Sequence, residues 1–297
     1  MRIGVAQLNA TVGDLDGNLA LAIDAYEQLV GQGVDLVAYP ELFLCGYPPR
    51  DLLLKTRFAS DLAERLNAFA EQTGPTPAVI GFVEKSGNSA GRPFRNSAAW
   101  CVEGKVAHVA RKRLLPTYDV FDEARYFEPS EGSLVLEHKG KKIAVTICED
   151  VWNEAGELYA TDPLNEVREV SPDLLLNLSA SPWHQGKQSV RREVLAKVAT
   201  KCGCPVIYVN LVGGNDELIF DGASMAVNAE GERISHMPAF EEAIRVVDFS
   251  EEAIGRESEV ASLENLRKAL VLGLRDYAHK SGFTKAEKLA ISQKEIN

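Results

Sequence analysis

Three residue types that together can break an amide bond stand at three separate points of the chain, each just after an apolar run. Glu41 follows residues 34–39 and Pro40, Lys112 follows 105–110, and Cys148 follows 142–147. A thiol attacks a carboxamide carbon as its thiolate, and a neighbouring cation favours that form. Lys112 carries such a charge, and the same ammonium can hold the oxyanion that develops on the attacked carbonyl. Glu41 has the carboxylate to take the thiol proton, pass it to a leaving amine, and then activate water against the thioester. The backbone N–H after Cys148, that of Glu149, would be a second oxyanion donor. Each residue alone also has a plainer role open to it. A buried cysteine serves as a small hydrophobe, a glutamate as a surface or capping acid, and a lysine between Arg111 and Arg113 as part of a solvated basic turn.

For the three to meet, the runs before them must be strands whose carboxyl ends share one side of the fold, where ligand sites of α/β proteins gather. Strands are expected over 2–8, 34–39, 78–84, 173–178 and 205–210. One hairpin is expected over 96–102 and 105–110, turning at Glu103-Gly104, and another over 134–137 and 142–147, turning near Gly140. A last hairpin runs from Gly222 through Asn228 to Glu232, followed by 244–247. A first helix, capped by Asn18, puts Leu19, Ile23, Tyr26 and Val30 on one face. Further helices are expected over 57–72, ended by Gly74-Pro75, over 188–201, and over 262–280 with Leu266, Leu270, Leu274 and Tyr277 at helical spacing. Such a mixture of βα units and hairpins predicts two sheets packed face to face with helices outside. The polar tail after Gly282 is expected to be loose.

The 297 residues suffice for one large α/β domain or two small ones, and 45% hydrophobic with 25% charged residues suits a buried core. A net charge of −11 argues against a nucleic-acid or anionic-membrane partner. The amino terminus lacks a signal-peptide pattern, and no apolar run approaches the ~18 residues of a membrane span, so a cytoplasmic protein is expected. Five scattered cysteines argue against a disulfide framework, and Cys202-Gly-Cys204 is one residue short of a C-x-x-C motif, so no metal site is expected.

The text around the three residues resembles the signatures of the nitrilase (carbon-nitrogen hydrolase) superfamily, in order along the chain. It is closer still to the glutaminase domains of glutamine-dependent NAD+ synthetases. The likeness lies in Pro40-Glu41-Leu42-Phe43-Leu44-Cys45-Gly46-Tyr47-Pro48-Pro49-Arg50-Asp51, in Lys112-Arg113-Leu114-Leu115-Pro116-Thr117-Tyr118-Asp119 with Glu123 after it, in Cys148-Glu149-Asp150-Val151-Trp152, and in Asn177-Leu178-Ser179-Ala180-Ser181-Pro182 followed by Gly186-Lys187. It extends over roughly residues 1–283. It implies a four-layer α-β-β-α sandwich that assembles into a homo-oligomer through its helical faces. It also implies a Glu41, Lys112, Cys148 triad and no cofactor for the amidase. Tyr47, Tyr118 and Trp152 match aromatic positions lining a glutamine pocket. Ser181 and Lys187 match contacts to the amino-acid head, Glu123 matches an additional acid near the lysine, and Glu149 joins the substrate-binding set. A free α-carboxylate and α-ammonium need fixed opposite charges, so Lys187 and one carboxylate are reasonable partners.

The resemblance divides the chain into an amidase-like part, 1–260, and a helix resembling the start of a synthetase domain plus a short tail, 261–297. The synthetase domain of such proteins uses ATP and magnesium and carries a Ser-Gly-Gly-x-Asp-Ser loop for pyrophosphate, which no part of these 297 residues contains. The chain alone is therefore expected neither to bind ATP nor to form NAD+, as a truncated product, a frameshifted reading or a subunit served by a synthetase in trans. Glutamine hydrolysis is the leading expectation. The alternative is a free-standing amidase for another small amide or carbamoyl compound, and a third is a silent scaffold.

Overall fold

The computed structural model describes residues 1–87, 90–153, 158–250 and 262–283. The chain opens with β1 (Arg2–Gln7), α1 (Leu15–Gly31), β2 (Leu36–Ala38), α2 (Phe58–Glu71), β3 (Ala78–Lys85), β4 (Phe94–Val102) and β5 (Lys105–Arg111). It continues with β6 (Leu134–His138), β7 (Lys141–Ile147), α3 (Pro163–Val170), β8 (Leu174–Ser179), α4 (Lys187–Cys202) and β9 (Val206–Asn210). The last elements are β10 (Val212–Asn215), β11 (Leu218–Asp221), β12 (Met225–Val227), β13 (Arg233–His236), β14 (Ala243–Asp248) and α5 (Ser262–Lys280).

Two six-stranded sheets result, in the orders β14-β1-β2-β3-β4-β5 and β13-β12-β9-β8-β7-β6, with β10-β11 as a separate ribbon. Each sheet has three parallel strands, β1-β2-β3 or β7-β8-β9, flanked by antiparallel neighbours. Strand parity assigns the core. Ile3, Val5, Leu36 and Ala38 meet Ile143, Val145, Leu176 and Val209 between the sheets. Val37, Ile80 and Ala99 face the other way, onto Leu29, Leu62 and Phe69 of the helices α1 and α2. Ala144, Leu175 and Val206 likewise meet Leu164, Leu195 and Val198 of α3 and α4. Strands buried on both faces read as near-continuous apolar runs, and the layers are the expected α-β-β-α sandwich. Ala269 and Leu272 of α5 pack on Val212 and Phe240, against the β10-β11 ribbon. Among the described residues no helix is long and apolar enough to cross a membrane.

The cap expected at Asn18 is a correction. Asp14 caps α1 through Gly17 N at 3.0 Å. Asn18 lies inside the helix, buried, exchanging two 2.8 Å hydrogen bonds with the Thr11 backbone and donating to Leu44 O at 3.3 Å. The β10-β11 ribbon and α3 were not foreseen. The Gly213-Gly214 pair of β10 shows no apolar alternation, and α3 spans only eight residues behind its Asp162 cap. The tail beyond residue 283 lies outside the described residues.

Candidate active site

The carboxyl ends of β2 and β5 in one sheet, and of β7 and β8 in the other, open onto one place. Glu41 stands three residues beyond β2, at the end of Tyr39-Pro40, with 1% of its surface exposed. Its Oε1 accepts from Lys112 Nζ at 2.7 Å and from Asn96 Nδ2 at 2.7 Å, and its Oε2 from the backbone N–H of Ala180 at 2.9 Å. Lys112 directly follows β5 and is equally buried. Its ammonium also donates to Glu123 Oε1 at 2.8 Å. Burial alone would depress the Lys112 pKa, but the carboxylates of Glu123 and Glu41 outweigh it and raise the pKa well above the ordinary lysine value.

Glu123 also accepts from the Tyr47 hydroxyl at 2.8 Å on that same oxygen. Its Oε2 is buried and accepts no hydrogen bond from the described residues. Burial, opposed by Lys112, pushes Glu123 up to about 7. Tyr47, itself held far above its ordinary pKa by burial and then by Glu123, remains a donor to it and packs edge-on to Phe220 with ring centroids 5.9 Å apart.

Cys148 occupies the corner where β7 turns into a short 3-10 segment, Cys148–Val151, with a left-handed φ of +42°. Non-glycine residues hold that conformation at a cost of about 1–3 kcal/mol, and such strain clusters at functional corners. The corner exposes the first N–H groups of the turn, which lack partners within it. Burial, and then the charge of Glu41, raise the Cys148 pKa well above its ordinary value despite Lys112. Burial thus works against the cation, which leaves the removal of the thiol proton to a base such as Glu41.

The other expected residues fall into two groups around this corner. Tyr118, 42% exposed, and Tyr159 both donate to Glu149 Oε1, at 2.8 and 3.0 Å. Burial and then the Glu149 charge raise the pKa of both tyrosines. Lys187, the first residue of α4, sets its ammonium 4.2 Å from the Trp152 ring centroid. Its pKa is lowered by burial and then by Arg191. Ser181 is buried, with its N–H on Asn210 Oδ1 at 2.9 Å and its carbonyl accepting from Arg191 at 3.4 Å. Cys148 lies within electrostatic reach of Lys112, Glu41 and Glu149 and of Lys187 and Arg191, which puts both groups in one neighbourhood.

Five residues were missed from sequence, Tyr159 beside Glu149 among them. Asn96 shares the parity of Ala98 and Trp100, which pack between the sheets, so a polar side chain there signals a buried partner. Asp150 accepts from Arg113 N at 2.9 Å, Leu114 N at 3.0 Å and Ile147 N at 3.0 Å, and burial pushes it up to about 6. Arg191 and Asp221 form a wholly buried ion pair at 3.2 Å, with no local signal in the sequence. His184 is exposed, and its ring lies 2.9 Å from the neighbouring Gln185 carbonyl. All five cysteines are buried free thiols, and among the described residues no cluster of His, Cys, Asp and Glu could hold a metal.

An α-β-β-α sandwich with Glu, Lys and Cys converging at its strand ends has close counterparts. The model of the family "Carbon-nitrogen hydrolase" matches residues 2–256, and the chain belongs to that family. It is a hydrolase of carbon-nitrogen bonds. A glutamine-dependent NAD(+) synthetase of Synechocystis sp. is 42% identical over 96% of this chain and 53% of its own length. The structure of glutamine-dependent NAD+ synthetase from Acinetobacter baumannii, in complex with ADP, superposes with a TM-score of 0.86 at 32% identity, over 95% of this chain and 52% of that one. An amidase from Nesterenkonia sp. AN1 superposes with a TM-score of 0.69 at 26% identity, over 84% of this chain and 92% of its own. The chain thus spans about half the length of the curated relatives it matches.

Proposed function

We propose that this chain hydrolyses the side-chain amide of glutamine to glutamate and ammonia, with Cys148 as nucleophile, Glu41 as base and Lys112 as cation. The observation that carries the reading is the Lys112 ammonium clamped between Glu41 and Glu123 beside a thiol on a strained corner. Glu41 takes the Cys148 proton as Sγ attacks the amide carbon. The oxyanion gathers donors from Lys112 Nζ and the Glu149 N–H. Glu41 then protonates the leaving nitrogen, the C–N bond breaks, and ammonia departs from a thioester. Water, deprotonated by Glu41, adds to the thioester carbon. The C–S bond breaks, glutamate leaves, and the proton returns to sulfur. Because burial and the Glu41 charge disfavour the Cys148 thiolate, proton transfer and attack are coupled.

Glutamine is favoured over other amides by its charged head and by the names of the relatives. Lys187 supplies a cation for the α-carboxylate and Glu149 an anion for the α-ammonium, with Tyr47, Tyr118, Trp152 and Ser181 around them. The ammonia serves NAD+ synthesis at a synthetase site using ATP and magnesium, whether in cis or in trans, and the chain works as a homo-oligomer. A second reading, hydrolysis of small uncharged amides, is favoured by the likeness to the Nesterenkonia amidase, one structure of which holds butyramide. Glutamate or ammonia release from glutamine, asparagine and butyramide separates them. The glutaminase reading expects kcat/KM for glutamine at least tenfold above the others, and a preference for butyramide would replace it by the second.

A further inference from the structure

Cys148 and Lys112 belong to different sheets. Lys112 follows β5 and Cys148 follows β7, so the distance between them depends on how the two layers are fastened across the sandwich. Glu41 does part of this through the Ala180 N–H at 2.9 Å, and a second side chain joins the two segments directly. Asp150 Oδ2 accepts from Ile147 N at 3.0 Å, the residue before Cys148, and caps its own turn. Its Oδ1 leaves that element and accepts from Arg113 N at 2.9 Å and Leu114 N at 3.0 Å, the two residues after Lys112. The remaining polar groups of the Lys112 peptide are held within its own surroundings: Lys112 N donates to Asn96 O at 2.8 Å, and its carbonyl accepts from Ser130 N at 3.1 Å. Asp150 is 3% exposed, and its carboxylate has no other role in the chemistry described.

We infer that Asp150 is a positioning residue that clasps the lysine loop to the nucleophile corner across the two sheets and so sets where the Lys112 ammonium stands relative to Cys148. A capping carboxylate needs only the bond to its own turn. The two bonds to Arg113 and Leu114 cap nothing in that turn, and they fix the segment that carries the ammonium. A carboxylate suits this place because its two acceptor-only oxygens offer about four lone-pair sites, enough for three N–H donors. An amide in the same shape would turn a donor toward one of them. The inference rests on the triad assigned above, since it acts through Lys112.

Two variants separate clasp from cap. Asp150→Asn keeps the shape and loses one acceptor. Asp150→Ser keeps a short hydroxyl for Ile147 N and loses the reach to Arg113 and Leu114. Both are compared with wild type at equal folded fraction by near-ultraviolet circular dichroism. Glutamine turnover is measured together with the rate of iodoacetamide alkylation of Cys148, mapped by peptide mass. A misplaced ammonium lowers kcat about tenfold to a hundredfold, leaves KM within threefold, and slows Cys148 alkylation at least fivefold. In a Lys112→Ala background, Asp150→Asn changes alkylation less than twofold. Wild-type kcat in the folded variants, a KM that rises as far as kcat falls, or full additivity with Lys112→Ala would overturn the clasp, as would failure of both variants to fold. A wild-type chain that releases no glutamate would count against the glutaminase reading, while the alkylation comparison decides the clasp by itself.

Discussion

Lys112 Nζ meets Glu41 Oε1 at 2.7 Å with both side chains wholly withdrawn from water. A pair in that setting is held by mutual attraction and by the hydrogen bonds around it, and removing one member leaves a buried charge uncompensated. Such removal costs about 3–5 kcal/mol. Lys112→Met strands two carboxylates, those of Glu41 and Glu123. It should lower the melting temperature more than Glu41→Gln does, because Glu123 still faces Lys112 in the latter. Thermal unfolding of the two variants side by side checks the order.

The same two substitutions should fail non-additively in catalysis. Loss of one oxyanion donor lowers kcat on the order of 10²–10³-fold in comparable sites, and loss of the base slows both half-reactions. If the three residues act as one unit, the double variant is little slower than the worse single one. Strict additivity of the kcat losses would mean that Glu41 and Lys112 do not serve one reaction.

Cys148→Ala should abolish turnover and leave the fold intact, since alanine removes one sulfur from the site and no charge. Alanine at Cys45, Cys101, Cys202 or Cys204 should keep activity within about tenfold, because these thiols are buried and unbonded to the site residues in the contacts described. Turnover and circular dichroism of the five variants make the comparison.

Stability should depend on pH through Glu123. Its carboxyl is raised from 4.5 to about 7 by burial. An unfolded chain releases that proton near its ordinary value, whereas the folded chain keeps it to a higher pH. Between about pH 4.5 and 7 the folded state binds more protons, so this group's contribution falls as pH rises through that window and is level above it. Glu123→Gln has nothing to titrate there. The melting temperature of wild type relative to Glu123→Gln should decline from pH 5 to 7.5, by about 2–4 °C per kcal/mol in a chain of this size. A difference that does not vary with pH would remove Glu123 from the titrating groups.

The 297-residue chain should release glutamate equally with and without ATP and nicotinic acid adenine dinucleotide, because its sequence holds no glycine-rich pyrophosphate loop. Several-fold stimulation in a preparation free of a second subunit would mean a nucleotide site within these residues.

The layers were legible because apolar runs are written locally, whereas the grouping of Glu41, Lys112 and Cys148 came from the resemblance of the text around them. Val37 and Ala38 already declare opposite faces. What escaped reading was made by long-range backbone contact. The Ala180 N–H on Glu41 Oε2 joins residues 139 positions apart and has no side chain to betray it. Asp150 looked like one more acid in an acidic pair, and its value lies in whose N–H groups it accepts. Asn18 misled for the opposite reason. Its type suits a cap, but the turn before it supplied Asp14, and the buried amide holds the segment at Thr11 to the one at Leu44.

The central claim, a covalent acyl intermediate on Cys148 formed from glutamine, is tested most directly by trapping. The chain is incubated with a diazoketone analogue of glutamine, and the product is analysed by intact mass and peptide mapping. The account predicts one adduct per chain, on Cys148 alone, slowed by added glutamine and absent in Cys148→Ala. An adduct on another cysteine with Cys148 unmodified, or labelling that glutamine does not slow, would contradict it.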